Sequence, residues 1–177
     1  MTVSTTPIAT SAIASQKEQF LETFSREIET TLKVLRAYPS GMPGLQPHAK
    51  CKTARELAWI FATEQMLSLK AITEGFDWSK PGTMPQAPSA IEESISALEE
   101  TSDRVRTVVS GMTEAQLLET VQFPMGPGKM KDWTKMEFLW FLLHDHIHHR
   151  GQFSVYLRMA GGSLPSIYGP TADEPWF

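Results

Sequence analysis

The chain has 177 residues, of which 41% are hydrophobic and 20% charged, so it can bury the core of one domain and is not a disordered chain. Sixteen basic and twenty acidic residues give a net charge of -4, which argues against a nucleic-acid partner bound by a basic surface. The single cysteine, Cys51, excludes an internal disulfide and any cysteine-cluster zinc site.

Two features of the chain bear on its location. Residues 138–143 form the longest strongly apolar stretch, which is far too short to cross a bilayer. Residues 1–15 are rich in serine, threonine and alanine but lack the basic and apolar regions of a secretory signal. We therefore expect a cytoplasmic protein without a membrane partner.

Apolar residues that recur every three or four positions predict four long amphipathic helices. They cover approximately residues 15–38, 53–74, 89–112 and 134–160. A Ser or Thr followed three residues later by Glu or Gln forms a capping box, which satisfies free backbone N–H groups in the first turn of a helix. Such boxes predict three of the helix starts and one brief extra turn: Thr53 with Glu56, Ser89 with Glu92, Thr134 with Glu137, and Thr113 with Gln116.

No segment shows sustained alternation of apolar and polar residues, so a sheet is not expected. Four amphipathic helices joined by loops predict an all-α four-helix bundle, and the long connection over residues 75–88 would allow a crossover. The predicted organisation is a flexible leader (1–14), the bundle (15–162) and an irregular tail packed on the bundle (163–177).

Glu64 interrupts the apolar face of the second predicted helix. A helix advances roughly 100° per residue. That spacing puts Glu64 near the middle of a face formed by Leu57, Ile60, Phe61, Leu67, Ser68 and Ala71. Because a carboxylate buried alone is costly, Glu64 must form an ion pair, reach water or bind a cation.

Asp145 and His149 interrupt the fourth predicted helix in the same way, one turn apart, with Gln152 beside them. The apolar members of this face are Phe138, Phe141, Leu142, Phe153, Tyr156 and Ala160. An Asp–His pair at this spacing can share a hydrogen bond or hold one metal ion. With Glu64 from a facing helix, the pair would offer one nitrogen and two carboxylate oxygens to a divalent cation.

The fourth helix carries a second apolar face, which could meet another copy of the chain. Its members are Leu139, Trp140, Leu143, Ile147 and Leu157. We place His144 and His148 at an edge or on the surface, turn His146 away from Asp145, and place His48 in an exposed loop.

The segment from His144 to Gly162 contains His-Arg-Gly-Gln followed by Tyr-Leu-Arg, and a Pro-x-x-Tyr-Gly motif follows within residues 164–174. Arg-Glu-Leu-Ala-Trp opens the second helix at residues 55–59. Together these motifs resemble the DinB family of bacterial proteins, and the resemblance covers roughly residues 15–172.

The resemblance implies a four-helix bundle, commonly a homodimer, with a metal site between the second and fourth helices. Three histidines form the family's usual site. Here one of them matches His149, but the others fall on Asp145 and Ile60. Glu64 lies one turn after Ile60 on the same face, so it could replace the missing ligand.

The family includes proteins that resemble thiol-dependent transferases, isomerases and hydrolases, so one hypothesis is a metal-dependent enzyme with a small-molecule substrate. Glu64, Asp145 and His149 would bind zinc, nickel, iron or manganese. Glu64 could instead act as a general base. Gln152 and Tyr156 are further candidate catalytic residues, which would contact the substrate or the ligands. Arg150 would do so or form a structural salt bridge.

Two other hypotheses involve no catalysis. In one, the same residues form a structural network of hydrogen bonds and ion pairs in a dimeric bundle with a degenerate metal site. In the other, the nine methionines and five tryptophans line a pocket for a small molecule or a partner. At helical spacing, however, such residues more often form ordinary core.

Overall fold

The computed structural model describes residues 14–79 and 82–177. Within these ranges the elements are α1 (Gln16–Arg36), α2 (Ala54–Thr73), α3 (Ile91–Gly111), α4 (Glu114–Leu118), β1 (Thr120–Gly126), β2 (Lys129–Thr134) and α5 (Lys135–Met159). The predicted leader lies outside the described residues except for Ala14, whose carbonyl accepts a hydrogen bond from the side chain of Gln19.

Capping boxes open α2, α4 and α5 as predicted, and a fourth, formed by Ser15 and Glu18, opens α1. The predicted box at Ser89 and Glu92 is wrong. The N-cap of α3 is Ala90, which has no side chain able to cap, and Glu92 therefore stands at the second helical position instead of the third.

The bundle places α1, α3, α2 and α5 in that order around the core. Helix α2 packs against α3 and α5, and α1 packs against the same two helices from the other side. The long connection after α2 thus joins neighbouring helices, whereas α1 and α2 lie across the bundle from each other. The predicted all-α bundle is confirmed, with one small sheet as an addition.

That sheet is an antiparallel hairpin of β1 and β2, in which Val121 is paired with Trp133. The expectation of no sheet is wrong here. These two side chains are the buried positions of the hairpin, so its sequence carries too little alternation to be recognised. They pack with Phe138 and Leu142 of α5 in an apolar cluster separate from the main core.

Both apolar faces of α5 are covered within the chain. Leu139, Leu143 and Leu157, predicted to meet another copy, are buried in the main core, so they are not available to a second chain. Trp140 and Ile147 of the same face are partly buried against that core. The homodimer stays a prediction.

The segment after α5 contains no helix or strand, and side-chain hydrogen bonds hold it to the bundle. Arg158 of α5 bonds to Asp173, and the hydroxyl of Tyr168 reaches Glu27 of α1 and Arg150 of α5. Among the described residues, no helix combines the length and the apolar character that crossing a membrane requires.

Candidate metal centre

Helices α2 and α5 face each other and bring Glu64 against His149. Glu64 is 3% exposed, and its Oε1 lies 2.7 Å from Nδ1 of His149. Oδ1 of Asp145 lies 3.9 Å from the same ring nitrogen. The convergence predicted from the two interrupted apolar faces is therefore present.

These three residues form a group that could hold a metal ion. Each offers one ligand atom, and the three atoms lie within 4.8 Å of one another. Two metal–ligand bonds of about 2.0–2.2 Å would place the bound atoms at most about 4.4 Å apart, so only a small side-chain rotation is needed. One imidazole nitrogen and two carboxylate oxygens suit a divalent cation of borderline hardness, and this donor set fits such an ion.

The group is buried on one side and open on the other. The side chain of Asp145 is 42% exposed and that of His149 is 18% exposed, whereas that of Glu64 is 4% exposed. Solvent therefore reaches the group from the Asp145 side.

The charges around His149 favour its protonated form when no metal is bound. The hydrogen bond to Glu64 raises the pKa of His149 above its usual range, against the opposing effect of burial. The negative charges of Glu64 and Asp145 act in the same direction, and Lys52 opposes them. A cation that binds here must displace that proton, because a ligating imidazole is neutral.

His146 is the site residue that the sequence analysis missed. It is fully buried, and its Nδ1 lies 3.1 Å from Oε2 of Glu64, the oxygen that His149 does not contact. On the other side of the ring, Nε2 lies 2.8 Å from the hydroxyl of Thr31 on α1. Its position on α5 turns it toward α1 as well as α2. The spacing of residues within α2 and α5 carries no information about contacts with α1.

A second buried polar cluster lies beside the first one and contacts it through Thr31. The guanidinium of Arg150 lies 3.4 Å from the Thr31 hydroxyl and 2.7 Å from a carboxylate oxygen of Glu27. The hydroxyl of Tyr168 donates to the same oxygen of Glu27. Arg150 is thus a structural ion-pair residue, which was one of its two predicted roles.

Gln152 and Tyr156 form hydrogen bonds with residues outside the group of Glu64, Asp145 and His149. Gln152 is exposed, and its amide lies 2.7 Å from Nε2 of His148. Tyr156 is buried and donates its hydroxyl to the carbonyl of Lys52, 2.8 Å away. Burial raises the pKa of Tyr156, and the neighbouring Cys51 adds to that effect. The catalytic roles of Gln152 and Tyr156 stay predictions.

Other sequence-based placements agree with the structure. His144, His148 and His48 are exposed, and so is Cys51. Ile60, at the helix-two position of the family's usual histidine, is a partly buried core residue, and Glu64 one turn later reaches His149 instead.

Fold and site together define a class of protein, a helical bundle with a candidate metal centre between its second and last long helices. The sequence matches the DinB family over residues 1–175. The chain belongs to the DinB family.

Individual relatives are more distant. The chain is 24% identical over 160 residues to the uncharacterized protein YrdA of Bacillus subtilis strain 168, covering 89% of this chain and 90% of that protein. A DinB-like protein from Bacillus cereus ATCC 10987 superposes with a TM-score of 0.71 at 22% identity, over 85% of this chain and 97% of the other.

A further solved structure is YfiT from Bacillus subtilis, described as a probable metal-dependent hydrolase with an unusual four-helix bundle topology. It superposes with a TM-score of 0.65 at 15% identity, over 89% of this chain and 95% of YfiT. At these identities the solved structures show that the fold is shared.

Proposed function

We propose that this protein is a divalent-metal-dependent enzyme whose active site is formed by Glu64, Asp145 and His149. The observation that carries the proposal is the convergence of their ligand atoms within 4.8 Å, with the Asp145 side chain exposed to solvent. A structural neighbour described as a probable metal-dependent hydrolase supports it. Zinc, nickel, iron and manganese all suit the donor set.

A divalent cation at this position would act as a Lewis acid and would lower the pKa of a ligated water or thiol toward neutrality. His149 and Asp145 would hold it from α5. Glu64 would either complete the ligand set from α2 or accept a proton from the attacking group as a general base. A small-molecule substrate would approach from the exposed side of Asp145.

Metal analysis of protein purified without a histidine tag tests the site. We expect about one divalent ion per chain in the wild-type protein and none in His149→Ala. His148→Ala is the matched control, because this adjacent histidine is exposed and is bonded to Gln152 rather than to Glu64. Equal, substoichiometric metal in all three proteins would refute the proposed site.

The reaction class needs a second assay. Hydrolysis of water-labile esters and amides, and transfer of a low-molecular-weight thiol to an electrophile, are the two reactions to compare. We propose hydrolysis first, since the open side of the site is reached directly by solvent. Metal-dependent thiol transfer without hydrolysis would assign the protein to the transferases instead.

A non-catalytic bundle is the second candidate function, and one observation favours it. Both oxygens of Glu64 already have imidazole partners, so the buried carboxylate is satisfied without any ion. In that case metal would neither bind at stoichiometric amounts nor raise the melting temperature. A rise in melting temperature with added metal that His149→Ala abolishes would exclude this candidate.

We also propose that the protein acts as a homodimer in the cytoplasm. The support is its resemblance to a family in which dimers are common. Light scattering on a sizing column would then give twice the chain mass of 19.8 kDa. A mass of one chain at working concentration would contradict the dimer.

A further inference from the structure

His146 lies next to the proposed metal ligands but outside them. Its ring is completely buried between α2 and α1, and it packs edge-on against Phe61 at a centroid distance of 4.9 Å. The ring nitrogens of a buried histidine need hydrogen-bond partners, and here the partners are Glu64 on one side and Thr31 on the other.

The partner on the α2 side decides which ring nitrogen carries the proton. An ionised carboxylate can only accept hydrogen bonds. Nδ1 of His146, 3.1 Å from Oε2 of Glu64, must therefore be the N–H donor. The amide nitrogen of Gln65 lies farther from the same ring nitrogen, at 3.4 Å. In a neutral ring, Nε2 is then the acceptor.

The partner on the α1 side agrees with that assignment. Thr31 can donate one proton, and its hydroxyl is 2.8 Å from Nε2 of His146. The guanidinium of Arg150, which can only donate, occupies a lone pair of the same hydroxyl from 3.4 Å. The Thr31 hydroxyl can therefore donate its proton to Nε2 while it accepts from Arg150. Arg150 is itself fixed by Glu27, with 2.7 Å between the charged groups.

We propose that His146 is a positioning residue for the metal centre: its Nδ1–H donates to Oε2 of Glu64 and so orients Oε1 toward His149 and toward the place of a bound cation. Thr31 contacts the other ring nitrogen from α1 and supports that orientation. This inference rests on the proposed function, because it assigns to Glu64 the role of a ligand. Partners of this kind orient a ligand and are typically worth about 10–100-fold in metal affinity.

Nitrogen NMR of histidine-labelled, metal-free protein tests the tautomer directly. We expect Nδ1 of His146 to carry a proton in the wild-type protein and also in Thr31→Val, because Glu64 remains its partner in both. His146→Asn identifies the signals by removing them. A wild-type ring protonated on Nε2 alone would overturn the proposal.

Cobalt titration followed by the visible spectrum of the bound ion tests the effect on the ligand. In His146→Asn, the side-chain amide can stand where Nδ1 stands and still donate to Glu64, so we expect affinity within about threefold of wild type. His146→Phe keeps an aromatic ring but has no donor, and we expect a loss of about 10–100-fold. His148→Asn, at an exposed position, is the matched control and should bind as the wild type does.

The outcomes separate this inference from the proposed function. Wild-type protein that takes up no cobalt would refute the metal centre itself. Stoichiometric binding by wild type together with equal binding by His146→Phe would refute only the role of His146. Should His146→Phe fail to fold, as judged by circular dichroism, Thr31→Val takes its place, and we expect weaker binding there as well.

Discussion

Two buried glutamates reach α5 from two different helices, and their partners on α5 are of different chemical kinds. Glu27 of α1 is 2% exposed and pairs with the guanidinium of Arg150 and the hydroxyl of Tyr168. Glu64 of α2 is 3% exposed and pairs with the imidazoles of His149 and His146.

The difference lies in whether the partner can give up its charge. A guanidinium stays protonated at any ordinary pH, so the Glu27 pair is closed to other cations. An imidazole loses its proton near neutrality and can then bind a metal. Similar burial therefore gives one permanent ion pair that anchors the tail and, if the proposed function holds, one carboxylate whose imidazole partner would give up a proton when a divalent ion binds.

Arg150→Met should have the largest effect on stability. It leaves the carboxylate of Glu27 buried without a counter-charge, and removing one partner of a buried pair typically costs about 3–5 kcal/mol. Urea unfolding followed by circular dichroism measures this loss. The double variant Glu27→Gln with Arg150→Met should recover a large part of it, and no recovery would show that lost packing, not charge, is responsible.

Glu64→Gln should separate metal binding from stability. The amide has nearly the same shape but no charge, so we expect metal affinity to fall at least about a hundredfold, or about 2.7 kcal/mol. The free energy of unfolding of the metal-free protein should change by much less than in Arg150→Met. Calorimetric titration and urea unfolding measure the two quantities, and an unchanged affinity would remove Glu64 from the ligand set.

The ion pair between Glu27 and Arg150 should also make the free energy of unfolding depend on pH in acid. Burial raises the pKa of Glu27, but the hydrogen bonds from Tyr168 and Arg150 outweigh that effect and hold the pKa below its usual range. A lowered folded-state pKa gives stability that is present above the unfolded-state pKa and is lost as pH falls through the folded-state value.

The amide of Glu27→Gln does not titrate in acid. This variant is therefore the reference for measuring how stability depends on pH. The difference in unfolding free energy between wild type and Glu27→Gln should be constant above about pH 5 and shrink below the unfolded pKa of about 4.3. Unfolding curves across this range test it. A difference that grows in acid would contradict the assignment of Glu27 as an ionised partner of Arg150.

Tyr168→Phe should have the smallest effect. It removes one hydroxyl from Glu27 and leaves Arg150 in place, so we expect a loss of about 1 kcal/mol. Limited proteolysis should then cut the tail sooner, while metal affinity stays unchanged. A large drop in metal affinity would contradict this expectation. It would mean that the Glu27–Arg150 pair and the Glu64–histidine cluster are coupled through Thr31.

Much of the fold follows from local patterns in the sequence. Apolar spacing and capping boxes predict α1, α2 and α5 to within a few residues, because both signals act within one or two turns. The predicted start of α3 is wrong because Ser89 and Glu92 have the spacing of a capping box but do not form one. The helix begins one residue later, after Ala90. The hairpin was missed because only Val121 and Trp133 are buried in it.

The sequence by itself determined that Glu64, Asp145 and His149 interrupt apolar helix faces, since the periodicity of a helix alone decides which residues share a face. Only the tertiary structure decided that His146 belongs with them and that Arg150 does not. Each of these side chains is placed by partners on α1, and the packing of a third helix against α5 is not encoded in the spacing of residues along either one.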